Sequence, residues 1–519
     1  MILATDWLAF HADRTPERLA AIDQHTGRRV TYGEMHERSG RLAAWLREEW
    51  GVQPGDRLAI LGKNSVAYFE FEFACIKLGA MMLPLNWRLA EPELLFILND
   101  AEARGIVYDS EFAERIPPLT ADSTATHTLR LDIPGFPADD GASEFEQAIA
   151  EAPGVVEMNP HTTLDEPMTI MYTAGTTGRP KGVLITHQMT LYNAINISNP
   201  TGLNHDSVFY AVLPTFHTGG LNLYANPVFY LGGVNIIARS FDAALTLKTL
   251  SDPAIGVTHF FGVPAIYLFL SQEPGFDSAD LSRIHSWGGG GSPMPVALIG
   301  TYAARGIIVQ MGFGMTETSP TVFLCDKRRA LEKPASVGKP LMYTRVRVVN
   351  EAFEDVMPGT IGEVIIGGPN ITPGYWKRPD ANEASFITDE DGVRWIRSGD
   401  AGTVDDEGCI YVVDRYKDMY LSGGENVYPA EVEQVLFQLP EVADAAVIGI
   451  PDERWGECGL AILVLKPGCA AEPDAVIAYC RANLAKYKTP KAVVFVDALP
   501  RNVAGKVLKR ELRERFAPK

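Results

Sequence analysis

Apolar and polar positions alternate along this chain with two different periods, and the period switches repeatedly. "DRLAILGKN" reads as a strand ending in a turn, "SVAYFEFEFACIKLGA" as a helix, and "GIVYD" as a strand again. "VNIIA", "VTHFFGV", "GIIVQMGF" and "TRVRVVN" are short β-branched runs. This rhythm predicts layered α/β structure. From Tyr343 to Val413 the texture changes. "VRVVN", "IGEVIIGG", "RWIRSGD" and "GCIYVVD" are short strands divided by Gly and Asp turns, which predicts a small β-rich subdomain. Helices and strands then return in "PAEVEQVLFQLP", "VADAAVIGI", "LAILVLK", "AVIAYCRANLA" and "AVVFVDALP". The pattern predicts an α/β multidomain protein: a large N-terminal domain over 1–413, with the β-rich subdomain at 343–413, and a smaller α+β C-terminal domain over 414–519. That tail of about 105 residues is long enough for a domain of its own. "KVLKRELRERF" closes the chain as an amphipathic helix, with Val507, Leu508, Leu512 and Phe516 on its apolar face.

Composition narrows the function. The 519 residues carry 46 basic and 65 acidic side chains, a formal charge of −19. A general nucleic-acid binder needs a basic surface to release counterions, so that class is disfavoured. A local basic pocket for phosphates remains compatible, provided that cations and backbone N–H groups are focused at one place. Cys75, Cys325, Cys409, Cys458, Cys469 and Cys480 show no Cys-x-x-Cys spacing, which predicts free thiols in a reducing compartment. "MILATDWLAFHADRTPE" has no basic n-region and no cleavage pattern. The most apolar stretch, "VTHFFGVPAIYLFL", is shorter than the roughly 18 residues of a span and reads as strand, turn and helix start. A cytoplasmic location is the expectation.

Several motifs carry chemistry. "YTAGTTGRPKG" (Tyr172–Gly182) follows an apolar run and precedes "VLITH". Its small and hydroxyl residues cannot build a core, but they can turn N–H and hydroxyl groups onto an anion, with Lys181 as a point charge. A plain Gly/Thr turn is the competing reading, and the spacing is not that of a Walker loop. "GFGMTET" (Gly312–Thr318) looks like a dinucleotide fingerprint, but Glu317 stands where glycine is needed. A carboxylate would repel a pyrophosphate unless it holds a hard cation such as Mg²⁺. "LPTFHTGG", "GGGGSPMP", "RSGD", "DRYKDMYLSGGENVYPAEVE" and "PRNVAGK" complete the set in order. Taken alone, Lys506 in the last of these reads as a solvated cation beside a turn, like Lys509 and Arg510.

Together these motifs resemble the adenylate-forming enzymes: acyl-CoA synthetases, luciferases and peptide-synthetase adenylation domains. The resemblance covers nearly the whole chain. It implies that Thr173, Gly175, Thr176, Thr177, Gly178 and Lys181 form the phosphate loop. By the same resemblance, Gly291, Ser292, Pro293, Gly312, Phe313, Gly314 and Met315 contact AMP, with Phe313 stacking on adenine where tyrosine is usual. It puts Thr316 on the α-phosphate, Mg²⁺ on Glu317, and the nucleotide against Asp400 and Arg415. It lines the acyl pocket with His217, Phe261, Gly289, Gly290 and Met311. It makes Ser422, Gly423 and Gly424 the wall of a tunnel for CoA, and Lys417 the hinge of a mobile lid. Lys506 becomes the catalytic lysine of adenylation, while Lys509 and Arg510 keep the solvated reading. Ala174, Met311 and Ala504 depart from the family's usual serine, glutamine and threonine.

The implied activity is AMP-forming acid–CoA ligation with ATP, CoA and Mg²⁺. The partners are small molecules, and a homodimer is an admissible assembly. Glycines near the pocket suggest room, and Phe261, Trp287, Met311 and Met315 suggest an apolar wall. That predicts a bulky acid, either a medium or long fatty acid or an aromatic one. An adenylation enzyme loading a carrier protein and a luciferase-like oxygenase share the motifs. The first usually carries an Asp near "FHTGG" for the amino group, and none is present here. A non-catalytic AMP sensor would not need Lys506.

Overall fold

The computed structural model describes residues 2–132, 143–173, 180–415, 418–422, 425–452, 454–501 and 506–517. The expected α/β alternation is present and builds four sheets. The first has six strands in the order His127–Leu131, Ala103–Asp109, Arg57–Leu61, Met81–Pro84, Pro167–Thr173 and Lys181–Thr186. Neighbours are parallel up to the last pair, which is an antiparallel hairpin. In the nine-stranded second sheet, Val234–Ile237, Val208–Ala211, His259–Gly262, Ser286–Gly289 and Val309–Gly314 run side by side and parallel. Parallel strands are covered on both faces, which explains runs such as "VNII" and "HFFG" with little polar alternation.

The helix Val66–Leu78 belongs to the core of this region. All 13 of its residues are buried, as expected of a helix apolar on every side. The Ser65 hydroxyl caps its start by accepting from Tyr68 N, and Gly79 ends it at φ 66°, a conformation that favours glycine. Three of its ionisable groups are held by residues from other elements. Glu70 is held by Arg28 and Arg38, Lys77 by Asp6, and Glu72 by the Asn226 amide.

The third sheet is antiparallel throughout and runs from Arg345 to Arg415. A separate carboxy-terminal domain carries the fourth. There, Val442–Asp452 pairs with Gly456–Leu465 over their whole lengths, and Ala492–Phe495 adds in parallel. The last helix begins later than its apolar pattern suggests, at Lys509 instead of Lys506. Val507 pairs with Arg501 in an isolated bridge, and Leu508 N donates to the Pro500 carbonyl. Lys506 therefore sits in an extended segment whose backbone is engaged by residues before it. Among the described residues, no helix is long and apolar enough to cross a membrane.

Candidate active site

A cavity of about 760 Å³, its open mouth included, lies against the second sheet and is lined by residues between Ile197 and Leu324. Strand alternation decides which side chains reach it. Phe261 and the backbones of Gly290 and Gly312 face the cavity. Trp287 and Met311 point to the opposite face, into a core with Phe260, Tyr267 and Tyr302. A Cβ on Gly289 would meet Met311 Sδ at 2.9 Å on that face, and one on Gly288 would meet the Phe261 ring at 2.6 Å. The expectation that the glycines leave room for substrate is therefore corrected at Gly288 and Gly289, where neighbouring side chains already fill those directions, while Gly219, Gly220, Gly290, Gly291, Gly312 and Gly314 line the cavity. Met311, Gly289 and Trp287 are core residues here, not cavity walls.

His217 and Met315 do line the cavity, together with Thr218, Leu223, Tyr224 and Phe313. His217 precedes the short helix Thr218–Leu221, and its Nδ1 accepts from Gly219 N at 3.3 Å. Burial holds its pKa below the ordinary histidine value. A neutral ring accepting at Nδ1 carries its proton on Nε2. Tyr224 is 1% exposed, whereas Gly291 and Gly314 are exposed, so the cavity runs inward from those glycines toward Tyr224.

At the mouth, the strand Val309–Gly314 passes into the tight turn Thr316–Thr318. Only glycine fits at 314, because a Cβ there would lie 1.8 Å from the Pro320 carbonyl oxygen. Thr316 is a cavity wall. Glu317 is 8% exposed, and its Oε1 accepts from the Tyr375 hydroxyl at 2.9 Å. The hairpin on either side of the loop expected to bind phosphate is next to this turn. Thr173 and Lys181 face one another across it, and the Lys181 ammonium lies 4.9 Å from the centroid of the Tyr375 ring. Residues 174–179, with Gly175, Thr176, Thr177 and Gly178 and the departure at Ala174, lie outside the described residues. Ser292 and Pro293 continue from Gly291 but are not cavity walls.

Asp400 and Arg415 are register partners on adjacent strands of the third sheet, and Asp400 is buried. In the carboxy-terminal domain, Ser422 is buried in the strand Tyr420–Ser422 and Lys506 is half-buried. Lys417, Gly423, Gly424 and Ala504 lie outside the described residues. One expectation there is overturned. Lys509 is not solvated: its ammonium is 2.9 Å from Glu433 and 3.6 Å from Asp414, with the side chain 12% exposed. Burial opposes its charge, but Glu433 and Asp414 outweigh that and hold its pKa above the ordinary lysine value. Arg510, 76% exposed, is the solvated member of the pair.

The donor set suits a nucleotide-borne Mg²⁺. Magnesium is commonly held by one or two carboxylates plus substrate phosphates, and Glu317 supplies one buried carboxylate beside the phosphate loop's flank. A second grouping, Asp6, His36 and Glu157, has chelating spacing. The buried Lys77 ammonium already occupies it, 3.0 Å from His36 Nδ1. Tyr224 ends the stretch "FHTGGLNLY", which the sequence already places at the acyl pocket; sequence reasoning missed Tyr375.

Residues 8–376 match the family model "AMP-binding enzyme", and residues 431–506 match "AMP-binding enzyme C-terminal domain". The chain belongs to the AMP-binding enzyme family. This AMP-binding enzyme is 40% identical over 510 residues to a feruloyl-CoA synthase of Amycolatopsis sp, covering 98% of each chain. It is 37% identical over 503 residues to the long-chain-fatty-acid–CoA ligase FadD13 of Mycobacterium tuberculosis, covering 97% of this chain and 96% of that one. Among solved structures, it resembles the O-succinylbenzoate coenzyme A synthetase of Bacillus subtilis in complex with ATP and magnesium ion. The TM-score is 0.86, with 31% identity over 98% of this chain and 99% of that one.

Proposed function

We infer that this AMP-binding enzyme is an ATP-dependent acid–CoA ligase whose acid is an aryl-bearing acid of the size of ferulate. The carboxylate attacks the α-phosphorus of ATP, pyrophosphate leaves, and an acyl-adenylate forms. The CoA thiol then attacks the acyl carbon, loses its proton and expels AMP, leaving a thioester. The observation that carries the reading is the cavity itself. It ends at the buried rings of Tyr224 and Phe261 and opens at Gly291 and Gly314, with Thr316 in its wall beside a buried carboxylate and the flank of the expected phosphate loop. An acid bound with its ring inward would present its carboxylate at Thr316. The similarity to a feruloyl-CoA synthase supports the aryl choice; the similarity to a fatty-acid–CoA ligase keeps the long-chain acid as the second reading.

Residue roles follow from charge. Two unit charges of like sign about 4 Å apart repel by ~4 kcal/mol at an effective dielectric of 20. An acid carboxylate approaching a triphosphate therefore needs cations on both sides. Glu317 would hold Mg²⁺, which neutralises phosphate oxygens; Lys181 would stand beside the same phosphates. Lys506 would neutralise the incoming carboxylate and the α-phosphate oxygens, because a compact ammonium on a long stem suits a shifting charge. Asp400 and Arg415, opposite one another on the third sheet, would hold the nucleotide. Asp414 and Arg415 belong to the third sheet, so the carboxy-terminal domain beyond them would turn about Lys417 between the half-reactions, exchanging Lys506 for the Ser422–Gly424 face that admits pantetheine.

An acid panel tests the substrate assignment. With ATP, Mg²⁺ and CoA, ferulate or 4-hydroxycinnamate should give the highest kcat/KM, followed by medium-chain acids, with acetate lowest. Palmitate at the top would move the assignment to the second reading, and acetate at the top would contradict both.

A further inference from the structure

Residues 372–378 contain no motif that announces chemistry, yet they tie together three parts of the site's frame. Thr372 N donates to the Glu317 carbonyl at 2.8 Å, and its hydroxyl donates to the Leu184 carbonyl at 2.6 Å. Trp376 N donates to the Gly182 carbonyl at 2.7 Å, one residue past Lys181. The Trp376 indole donates to the Asp100 carbonyl at 3.0 Å, and the Asp100 carboxylate accepts from the Tyr172 hydroxyl at 2.6 Å. Both strands flanking the phosphate loop are thereby pinned to the turn that carries Glu317.

Tyr375 is the centre of this clip. Its backbone is clamped from both sides by Asn382, whose Oδ1 accepts from Tyr375 N at 2.8 Å and whose Nδ2 donates to Tyr375 O at 3.4 Å. Its side chain is buried and touches both charges at once, with the hydroxyl on Glu317 Oε1 and the ring face toward Lys181. A neutral donor has a specific consequence here. It satisfies one carboxylate oxygen that burial has removed from water, and it leaves the negative charge in place for a cation. A cation–π contact likewise holds the ammonium without cancelling it.

We propose that Tyr375 is a positioning residue for adenylation, aiming the Glu317 carboxylate at the nucleotide's divalent cation while its ring seats Lys181 beside the phosphates. This rests on the cation-holding role proposed for Glu317.

Tyr375→Phe keeps the ring and deletes only the hydroxyl. Calorimetric titration should show the Kd for MgATP rising about tenfold, the scale of a hydrogen bond to a charged group. The Kd for AMP with EDTA should stay within about twofold, because AMP without a cation makes no use of Glu317's charge. Equal weakening of both nucleotides would mean plain loosening of the fold and would overturn the proposal, as would an unchanged MgATP affinity. Glu317→Gln separates the two levels. If it leaves the Mg²⁺ dependence of ATP binding unchanged, the role of Glu317 is wrong. If it raises the Mg²⁺ requirement while Tyr375→Phe does not, only the Tyr375 proposal falls. The double variant should bind MgATP no worse than Glu317→Gln alone, because the hydroxyl acts through that carboxylate.

Discussion

Glu72 and Glu317 of the large domain are held in the opposite way to Glu433 and Asp418 of the carboxy-terminal domain. In the large domain, Glu72 is fully buried with one oxygen on the Asn226 amide and the other without a hydrogen-bond partner among the described residues, and Glu317 accepts from the Tyr375 hydroxyl. Each of these carboxylates takes a hydrogen bond from a neutral side chain. In the carboxy-terminal domain, Glu433 pairs with the Lys509 ammonium, and Asp418 pairs with Arg513 at 2.9 Å. The difference separates two kinds of job. At Glu317 the neutral donor leaves the negative charge in place, and on the proposed reading the large domain must keep that carboxylate available to a cation. Ion pairs fix a backbone, and Lys509, three residues past Lys506, anchors the segment that would present the catalytic ammonium. The proposed site is then assembled from Glu317 and Lys181, built into the large domain, and the Lys506 ammonium, carried by the smaller one.

The largest expected test of this contrast uses pH. Burial raises the Glu72 pKa to about 8 from an ordinary 4.5. The folded state therefore keeps this proton while the unfolded chain releases it, and stability falls as pH rises from about 4.5 to about 8. Glu72→Gln should remove that slope, leaving the protein more stable than wild type near pH 8.5 by up to about 4 kcal/mol and nearly equal to it near pH 4.5. Denaturant titrations across that range check it; an unchanged slope would show that Glu72 is ionised when folded.

The opposite result is expected for the paired acid. Lys509→Met strands Glu433 and should destabilise the carboxy-terminal domain by roughly 3 kcal/mol, as breaking a buried pair does. Arg510→Ala should change stability by no more than about 0.5 kcal/mol. Equal effects of the two variants, read by thermal unfolding, would contradict the buried assignment of Lys509.

The smallest effects concern the two faces of the second sheet. Phe261→Ala opens the cavity wall and should lower kcat/KM for an aryl acid by roughly 10–100-fold relative to a short acid, the range for apolar pocket contacts. Met311→Leu, on the core face, should leave that ratio within about threefold, since volume-conserving core swaps are mild. A large change in acid preference for Met311→Leu would put that side chain back at the substrate.

Much of this architecture is legible in the sequence because it depends on local periodicity. The helix Val66–Leu78, the strands of the second sheet and the antiparallel third sheet follow directly from apolar spacing and turn residues. What local pattern omits is the direction of a face and the identity of a distant partner. Met311 and Phe261 are both apolar residues beside glycines, and only the pairing of their strands separates core from cavity. Lys509 lies in a charged helix that reads as solvated, because Glu433 and Asp414 come from other elements. Tyr375 stands 58 residues from the carboxylate that it contacts, in a loop with no chemical signature of its own.

The central claim, that the Lys506 ammonium acts in one step only, is tested most directly by Lys506→Ala assayed in separate half-reactions. Acid-dependent ATP–pyrophosphate exchange should fall by roughly 10²–10³, the loss expected for one preorganised transition-state contact. Thioester formation from supplied acyl-adenylate and CoA should remain within about threefold of wild type, since the lysine has no role proposed in that step. An equal loss in both half-reactions, or no loss of exchange, would contradict the account.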